Sequence, residues 1–537
     1  MVMKTVLLAC FFFFVSVSYS LPLSTNGRWV VDTPTGDRVK LRCVNWASHM
    51  QTLLAEGLDK QPLHGIVNSM SSLGFNCVRL TWATYMFTKP SNGNLTVDQS
   101  FEKLGLLEAK AGIAKNNPGV LNMTVLEAYD AVVDELGKQG IMVVLDNHVT
   151  MPQWCCGDGD GNGFFGDKFF DPNEWQQGLS IVANRFKGKP QVVGMSMRNE
   201  LRGPRQNKQD WYRYVRLGGE TIHKLNPKLL VIISGLGYDT DLSFLKNETL
   251  NSNFDNKLVY EGHWYAFSGG RREDWVHKTP DQICAITMKE FDDKLDFVTS
   301  AQNPIPLFLS EFGVDQRGVN DGDNRFLSCF LGYAARRDLD WAMWAMQGSY
   351  YVKNGVANFD ETYGVLDNNW SQPRNPKFRE RYRLIQDMLQ DPRSKLPTDH
   401  IIYHPLSGLC LFVDKNSNIQ ASDCLNRSHW SYAGNQAPLK LAGTSKCLKV
   451  NGNGLPVTVS NDCSSDQSAW KVILESNMRL AAMDQQGRSL CLDYDTSKSP
   501  LILSNECQCV TDDASKCKDN PETQWFKLIQ TNAKQQG

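Results

Sequence analysis

The chain has 537 residues, 41% of them hydrophobic, which is more than one ordinary domain needs and enough for a sizeable packed core. Its formal net charge is -2 with no long run of one sign, so nothing in the charge balance points to nucleic acid or an anionic membrane as partner. A neutral partner suits this composition.

Residues 1–20 carry one lysine, an apolar run from Thr5 to Val17 centred on Phe11 to Phe14, and Ser18-Tyr19-Ser20 at cleavage spacing. This is the pattern of a signal peptide rather than an anchor, because the run falls short of the ~20 residues that a membrane span needs. It predicts a secreted, extracellular protein without a membrane span. Of the 15 cysteines, Cys10 leaves with the signal, and even numbers then remain on both sides of residue 393. Even counts fit disulfides formed in an oxidising compartment, with the connectivity left open. Asn94, Asn122, Asn247, Asn369 and Asn426 each stand in an Asn-x-Ser/Thr acceptor for a glycan, so each is expected at the surface.

From residue 21 to 393, short apolar runs alternate with amphipathic or loop-rich segments, the pattern of a parallel sheet with crossover helices. Strands are predicted at Val39–Trp46, Asn76–Trp82, Ile141–His148, Val192–Glu200, Leu229–Gly235, Leu258–Tyr265, Ile305–Gly313 and Leu339–Met346. Between them, Val125 to Lys138 sets Leu126, Tyr129, Val132, Val133 and Leu136 on one helical face before Gly140, and Trp211 to Leu225 stops at Asn226-Pro227. Eight strands with helices between them predict an α/β fold, a (β/α)8 TIM barrel, whose reactive groups gather at the strand carboxyl ends. An open doubly wound sheet is the competing reading, but the glycine-rich phosphate turn after the first strand is missing.

The strand ends carry Arg79, His148, Asn199-Glu200, His263 and Tyr265, Glu311, and Trp344. Two glutamates at strand ends across one mouth are the equipment for glycosidic cleavage, one as proton donor and the other as nucleophile or charge stabiliser. Singly, each has a plainer reading: an arginine in a structural ion pair, an aromatic in barrel packing, a histidine as a satisfied core residue. Their joint convergence favours the site.

The pieces Val78-Arg79-Leu80, Leu145-Asp146-Asn147-His148, Arg198-Asn199-Glu200, His263-Trp264-Tyr265 and Ser310-Glu311-Phe312-Gly313, with the strand bearing Trp344, resemble glycoside hydrolase family 5 in their order along the chain. The resemblance implies a retaining β-glycosidase with Glu200 as acid/base and Glu311 as nucleophile, a division that spacing alone does not assign. It further implies Arg79 beside Glu311, Tyr265 donating to the same carboxylate, Asn199 on the sugar 2-hydroxyl, His148 and His263 orienting hydroxyls or Glu200, and Trp344 under the sugar ring. The expected partner is a carbohydrate substrate, a β-linked glucan, mannan or related glycoside. Neither a metal nor an organic cofactor is expected, and the protein is expected to act as a monomer. A glycolipid-directed glycosidase, a transglycosidase and a silent carbohydrate-binding protein remain as alternatives.

After the third predicted strand, Asp158-Gly-Asp160-Gly-Asn162-Gly163 imitates the start of a calcium loop, but Phe169 occupies the place of the closing glutamate. The segment therefore reads as a loop lining the cleft. Its aromatics Trp154, Phe164 and Phe165 fit substrate subsites and loop packing equally well.

From residue 394 to 537 the helical periodicity ends and a frame repeats: Leu-Cys410-Leu, Lys-Cys447-Leu and Leu-Cys491-Leu, each followed by a second cysteine at Cys424, Cys463 or Cys507 and a tryptophan at Trp430, Trp470 or Trp525. A unit of this size, repeated three times and rich in short strands, cannot bury its apolar face alone and predicts an all-β β-trefoil. The frame resembles the ricin B-type lectin family, whose sugar-holding aspartate falls two residues after the first cysteine. Here that position is Phe412, Lys449 and Asp493, so only Asp493 is a candidate lectin site, and a structural role for the region is favoured. Cys509 to Cys517 reads as a small disulfide-closed loop.

Overall fold

The computed structural model describes residues 22–495, 501–511, 517 and 521–534, and the expected signal sequence lies outside them. Eight parallel strands close into a barrel: Arg42–Trp46, Cys77–Ala83, Met142–Val149, Val192–Ser196, Leu230–Ile233, Leu258–Trp264, Leu307–Phe312 and Asp340–Met343. The eighth pairs with both the first and the seventh. Every residue of the second, third and sixth strands is buried, because the barrel interior lies on one face and the helices on the other.

The helix Val125–Lys138 forms where its periodicity predicts it. Thr124 and Glu127 close a capping box at its start, and Val125, Ala128, Tyr129, Val132, Val133 and Leu136 are buried. Several strands are shorter than expected. The fourth ends at Ser196 rather than running to Glu200, because the chain leaves the ladder to build the mouth, and Glu200 adopts φ 44°. Glu311, by contrast, stands within its strand.

The barrel's two ends are closed differently. At the amino-terminal end the hairpin Leu23–Asn26 with Trp29–Asp32 packs Leu23 and Val30 against Cys43, Cys77, Met142 and Val144. There Asp338 pairs with Arg38 and Lys40 and accepts backbone N–H bonds from Leu389 at 2.9 Å and Gln390 at 2.7 Å. These cations outweigh burial and hold its carboxyl down at about 2. At the other end a second hairpin, Ser349–Lys353 with Val356–Asp360, rises directly after the eighth strand. Asn354 at φ 53° and Gly355 at φ 78° give it the mirror-image turn that suits twisted strands.

The carboxy-terminal region, from Asp399–His404 to Lys527–Thr531, is β-rich and antiparallel. One disulfide-bridged strand pair recurs in it: Leu409–Val413 with Ile419–Ser422, Cys447–Lys449 with Thr458–Ser460, and Ser489–Asp493 with Leu503–Glu506. The bridges are Cys410–Cys424, Cys447–Cys463 and Cys491–Cys507, and Cys509 joins Cys517. Trp430, Trp470 and Trp525 are fully buried. Ile401, Tyr403, Met478, Trp525 and Ile529 belong to the same apolar cluster as the barrel and its helices. Gly332 permits that contact, since a Cβ there would lie 2.7 Å from Met478 Cε.

Candidate active site

Arg79 is the hub of the mouth. Its Nη1 donates to Glu311 Oε1 at 2.9 Å and Asn45 Oδ1 at 3.0 Å, and its Nη2 donates to Asn199 Oδ1 at 3.0 Å and pairs with Asp146 Oδ1 at 3.0 Å. Tyr265 O–H donates to Glu311 Oε2 at 2.8 Å. His263 Nδ1 lies 2.9 Å from Glu200 Oε1 and 3.7 Å from Glu311 Oε2. An oxygen of Glu200 and an oxygen of Glu311 approach within 4.8 Å of each other. His148 meets Asp146 Oδ2 through Nδ1 at 2.6 Å and stacks on Trp344 with ring centroids 5.5 Å apart.

A cleft of about 890 Å³ runs over this pair, lined by His148, Asn199, Glu200, His263, Tyr265, Glu311 and Trp344 among others. Arg79 does not line it. Expected to bind substrate, it is fully buried beneath the cleft and reaches it through Glu311 and Asn199. Asp493 belongs to the carboxy-terminal region, where its buried Oδ2 accepts from Asn505 at 3.0 Å and Gln524 at 3.1 Å.

Electrostatics follow from crowding several acids around few cations. Burial pushes Glu200 up to about 7, against the pull of Arg202 and Arg79. Burial likewise pushes Glu311 up to about 7, opposed by His263 and Arg79. Desolvation drives His148 well down, and it also drives His263 down against the pull of Glu311 and Glu261. Beneath them Asp146 and Glu261 are also pushed up by burial, and Ser196 O–H donates to Glu261. Glu200, His263 and Glu311 stand close enough to hold a metal ion between them, but the same atoms are already joined to one another and to Arg79 and Tyr265.

The loop after the third strand divides its aromatics. Trp154 lines the cleft, whereas Phe164 and Phe165 are buried, Phe165 against Phe170, Trp175 and Tyr214. Two of the calcium-like residues turn inward, Asn162 Oδ1 accepting from Thr150 N at 2.9 Å and Asp160 pairing with Arg202, while Asp158 stays exposed and accepts from Tyr238 O–H at 2.7 Å. Cys155 and Cys156 are bonded to each other, a pairing that no cysteine count reveals.

Sequence reasoning overlooked the far wall. Lys353 Nζ sits 3.4 Å above the Trp154 ring and 3.2 Å from Glu361, and Phe359, Glu361 and Tyr363 continue the lining. The signal for that hairpin was Asn354-Gly355 between two alternating runs. Asp146 and Glu261 were also missed as a group, although an acid inside an otherwise apolar strand marks a buried partner.

A closed parallel barrel with paired carboxyl groups at its carboxyl-end mouth defines a glycoside hydrolase. The family described as "Cellulase (glycosyl hydrolase family 5)" matches residues 44–349. A "Glycosyl hydrolase 5 family protein" of Chamaecyparis obtusa is 47% identical over 526 residues, covering 96% of this chain and 94% of that protein. An "Endoglucanase" of Paenibacillus polymyxa is 21% identical, covering 68% of this chain and 85% of its own length. Among solved structures, the catalytic domain of the major endoglucanase from Xanthomonas campestris pv. campestris shares the fold, with a TM-score of 0.53, 21% identity and coverage of 68% of this chain and 98% of that one. This chain belongs to glycosyl hydrolase family 5.

Proposed function

We propose that the protein is a retaining β-glycosidase that hydrolyses a β-linked glucan by double displacement. The reading rests chiefly on the separation of the carboxyl groups. One oxygen of each carboxyl lies within 4.8 Å of the other, which is in keeping with the ~5–5.5 Å between carboxyl groups usual for direct attack on the anomeric carbon rather than the ~6.5–9.5 Å of an inverting enzyme. The endoglucanase names of its relatives supply the glucan.

Glu311 is the nucleophile and Glu200 the acid/base in this reading. The two groups cannot both ionise freely at this distance, so near neutral pH one proton is held between them. Arg79 and Tyr265 both donate to Glu311, whereas the hydrogen-bond partner of the Glu200 carboxyl among the described residues is the His263 ring, so the negative charge belongs on Glu311 and the proton on Glu200. Glu200 protonates the leaving oxygen as Glu311 bonds to the anomeric carbon. Now ionised, Glu200 takes a proton from water, whose oxygen displaces Glu311. Asn199 donates to the 2-hydroxyl, and Trp344 carries the ring.

Residues 21–393 form the catalytic domain and residues 394–537 a β-trefoil of the ricin B type, a division supported by the recurring disulfide-bridged strand pair and its buried tryptophans. Export is supported by seven disulfides among the described residues. The asparagines of all five glycan acceptors are exposed, as glycosylation requires. A 2-deoxy-2-fluoro glucoside should inactivate the enzyme with a covalent label on Glu311, and β-glucan should yield products that retain the β configuration. Undiminished turnover by Glu311→Ala, or inverted products, would sink the assignment.

A further inference from the structure

The Asn199 carboxamide is anchored on one side only. Its Oδ1 accepts from Arg79 at 3.0 Å, but its Nδ2 meets Cys155 Sγ at 3.6 Å, Cys156 Sγ at 3.7 Å and His148 Nε2 at 3.5 Å. The two sulfurs are weak acceptors and the imidazole contact is at the long limit of a hydrogen bond, which leaves the N–H donors available to a ligand in the cleft. The Cys155–Cys156 bond joins adjacent residues and closes no stretch of chain, so it removes little loop entropy and its effect is local. Cys155 is buried, and both sulfurs line the cleft beside Asn199. Arg202 donates through Nε to Gly157 O at 3.2 Å and through Nη1 to Glu200 O at 2.7 Å, tying the disulfide segment to the acid's backbone. On its other side, Trp154 packs edge-on against Trp344.

We infer that the Cys155–Cys156 disulfide is a positioning element for recognition of the sugar 2-hydroxyl, holding the Asn199 amide with its nitrogen toward the cleft. A disulfide sulfur accepts weakly and has no proton to give. Turning the amide over would set Oδ1 against two sulfur lone pairs and take it from Arg79. Thiols or hydroxyls at the same positions would donate to Oδ1 of the turned amide, leaving only the contact with Arg79 to oppose the turn. The inference rests on the reading of Asn199 as the partner of the 2-hydroxyl, and it adds a specificity determinant at the sugar carbon next to the scissile bond.

The test compares an aryl β-glucoside with its 2-deoxy counterpart on wild-type enzyme, Asn199→Ala and the Cys155→Ser/Cys156→Ser double variant. In wild type, loss of the 2-hydroxyl should lower kcat/KM on the order of 10²-fold, mostly in kcat, because that contact strengthens in the transition state. Both variants should shrink this ratio to about 10-fold or less. A general loosening would slow both substrates alike and leave the ratio where it was. If Asn199→Ala shrinks the ratio and the folded double variant keeps it whole, the disulfide inference fails while the Asn199 reading stands. If Asn199→Ala keeps it whole, both fail. Should the double variant not fold, native enzyme reduced with a phosphine and alkylated, with modification of Cys155 and Cys156 confirmed by peptide mass, gives the same ratio, with the same two results for and against.

Discussion

Asp338 at one end of the barrel and the glutamate pair at the other are carboxyl groups taken out of water with opposite results, although the Glu200 side chain keeps 15% exposure and that of Asp338 none. At the amino-terminal end Asp338 pairs directly with two cations, accepts from two backbone N–H groups and is held down at about 2, while its neighbour Asp340, which feels the same cations at longer range, is pushed up by burial. At the mouth, Glu311, Asp146 and Glu261 crowd around the guanidinium of Arg79 with Glu200 next to them, and Glu200 and Glu311 are pushed up to about 7. Burial is common to both ends. The ratio of cations to acids decides whether a buried acid stabilises the fold or keeps a mobile proton near neutrality.

Breaking the mouth should have the largest effect. Glu311→Gln is expected to lower kcat/KM on β-glucan on the order of 10⁵-fold. It should leave the melting temperature unchanged or raised, because one of two crowded acids is gone. A clear fall in melting temperature would show that the mouth stabilises the fold after all. Asp338→Asn should do the reverse. With Arg38 and Lys40 buried without their counter-ion, about 3–5 kcal/mol of stability is lost in denaturant unfolding, while kcat per folded molecule holds.

Titration should separate the ends without mutation. Asp338 sits below its ordinary 3.8, so the stability it contributes is present above that value and lost as pH falls through about 2, roughly 2 kcal/mol in all. Glu200 and Glu311 sit above their ordinary 4.5, so the stability tied to their protons is present below 4.5 and lost as pH rises through about 7. Unfolding free energy against pH should therefore peak on the acid side, between these windows. In Glu311→Gln the decline toward neutral pH should shrink, and an identical decline would locate its origin elsewhere. The smallest effect belongs to Asp493→Ala, which should leave kcat on a soluble aryl glycoside within about twofold, since Asp493 bonds only to Asn505 and Gln524 of its own region among the described contacts. Any change should appear as weaker retention on polymeric sugar.

The barrel was legible because its eight strands are buried on both faces and so read as continuous apolar runs. The paired glutamates were legible for a related reason, as acids at the ends of such runs. Glu200 was assigned to a strand it has already left, since Met197 prolongs the apolar run by one residue while the chain turns out of the ladder. The hairpin carrying Lys353, with Glu361 just past its end, follows the eighth strand closely and merges with it in the apolar pattern, though its Asn-Gly turn stood in plain sequence. What stayed illegible depends on approach in space: the neighbours of Arg79, and the bond between Cys155 and Cys156.

The apolar cluster shared by the barrel and the carboxy-terminal region sets how the molecule meets a solid. A module on a flexible tether can grip a fibre and let its catalytic partner sweep an area around that point. Here Met478 seated on Gly332, Arg479 paired with Asp281 at 2.7 Å and Thr531 bonded to Leu389 at 2.8 Å leave no such leash. Whatever surface the carboxy-terminal region offers, it offers at one fixed angle to the mouth, so the two must meet a substrate together.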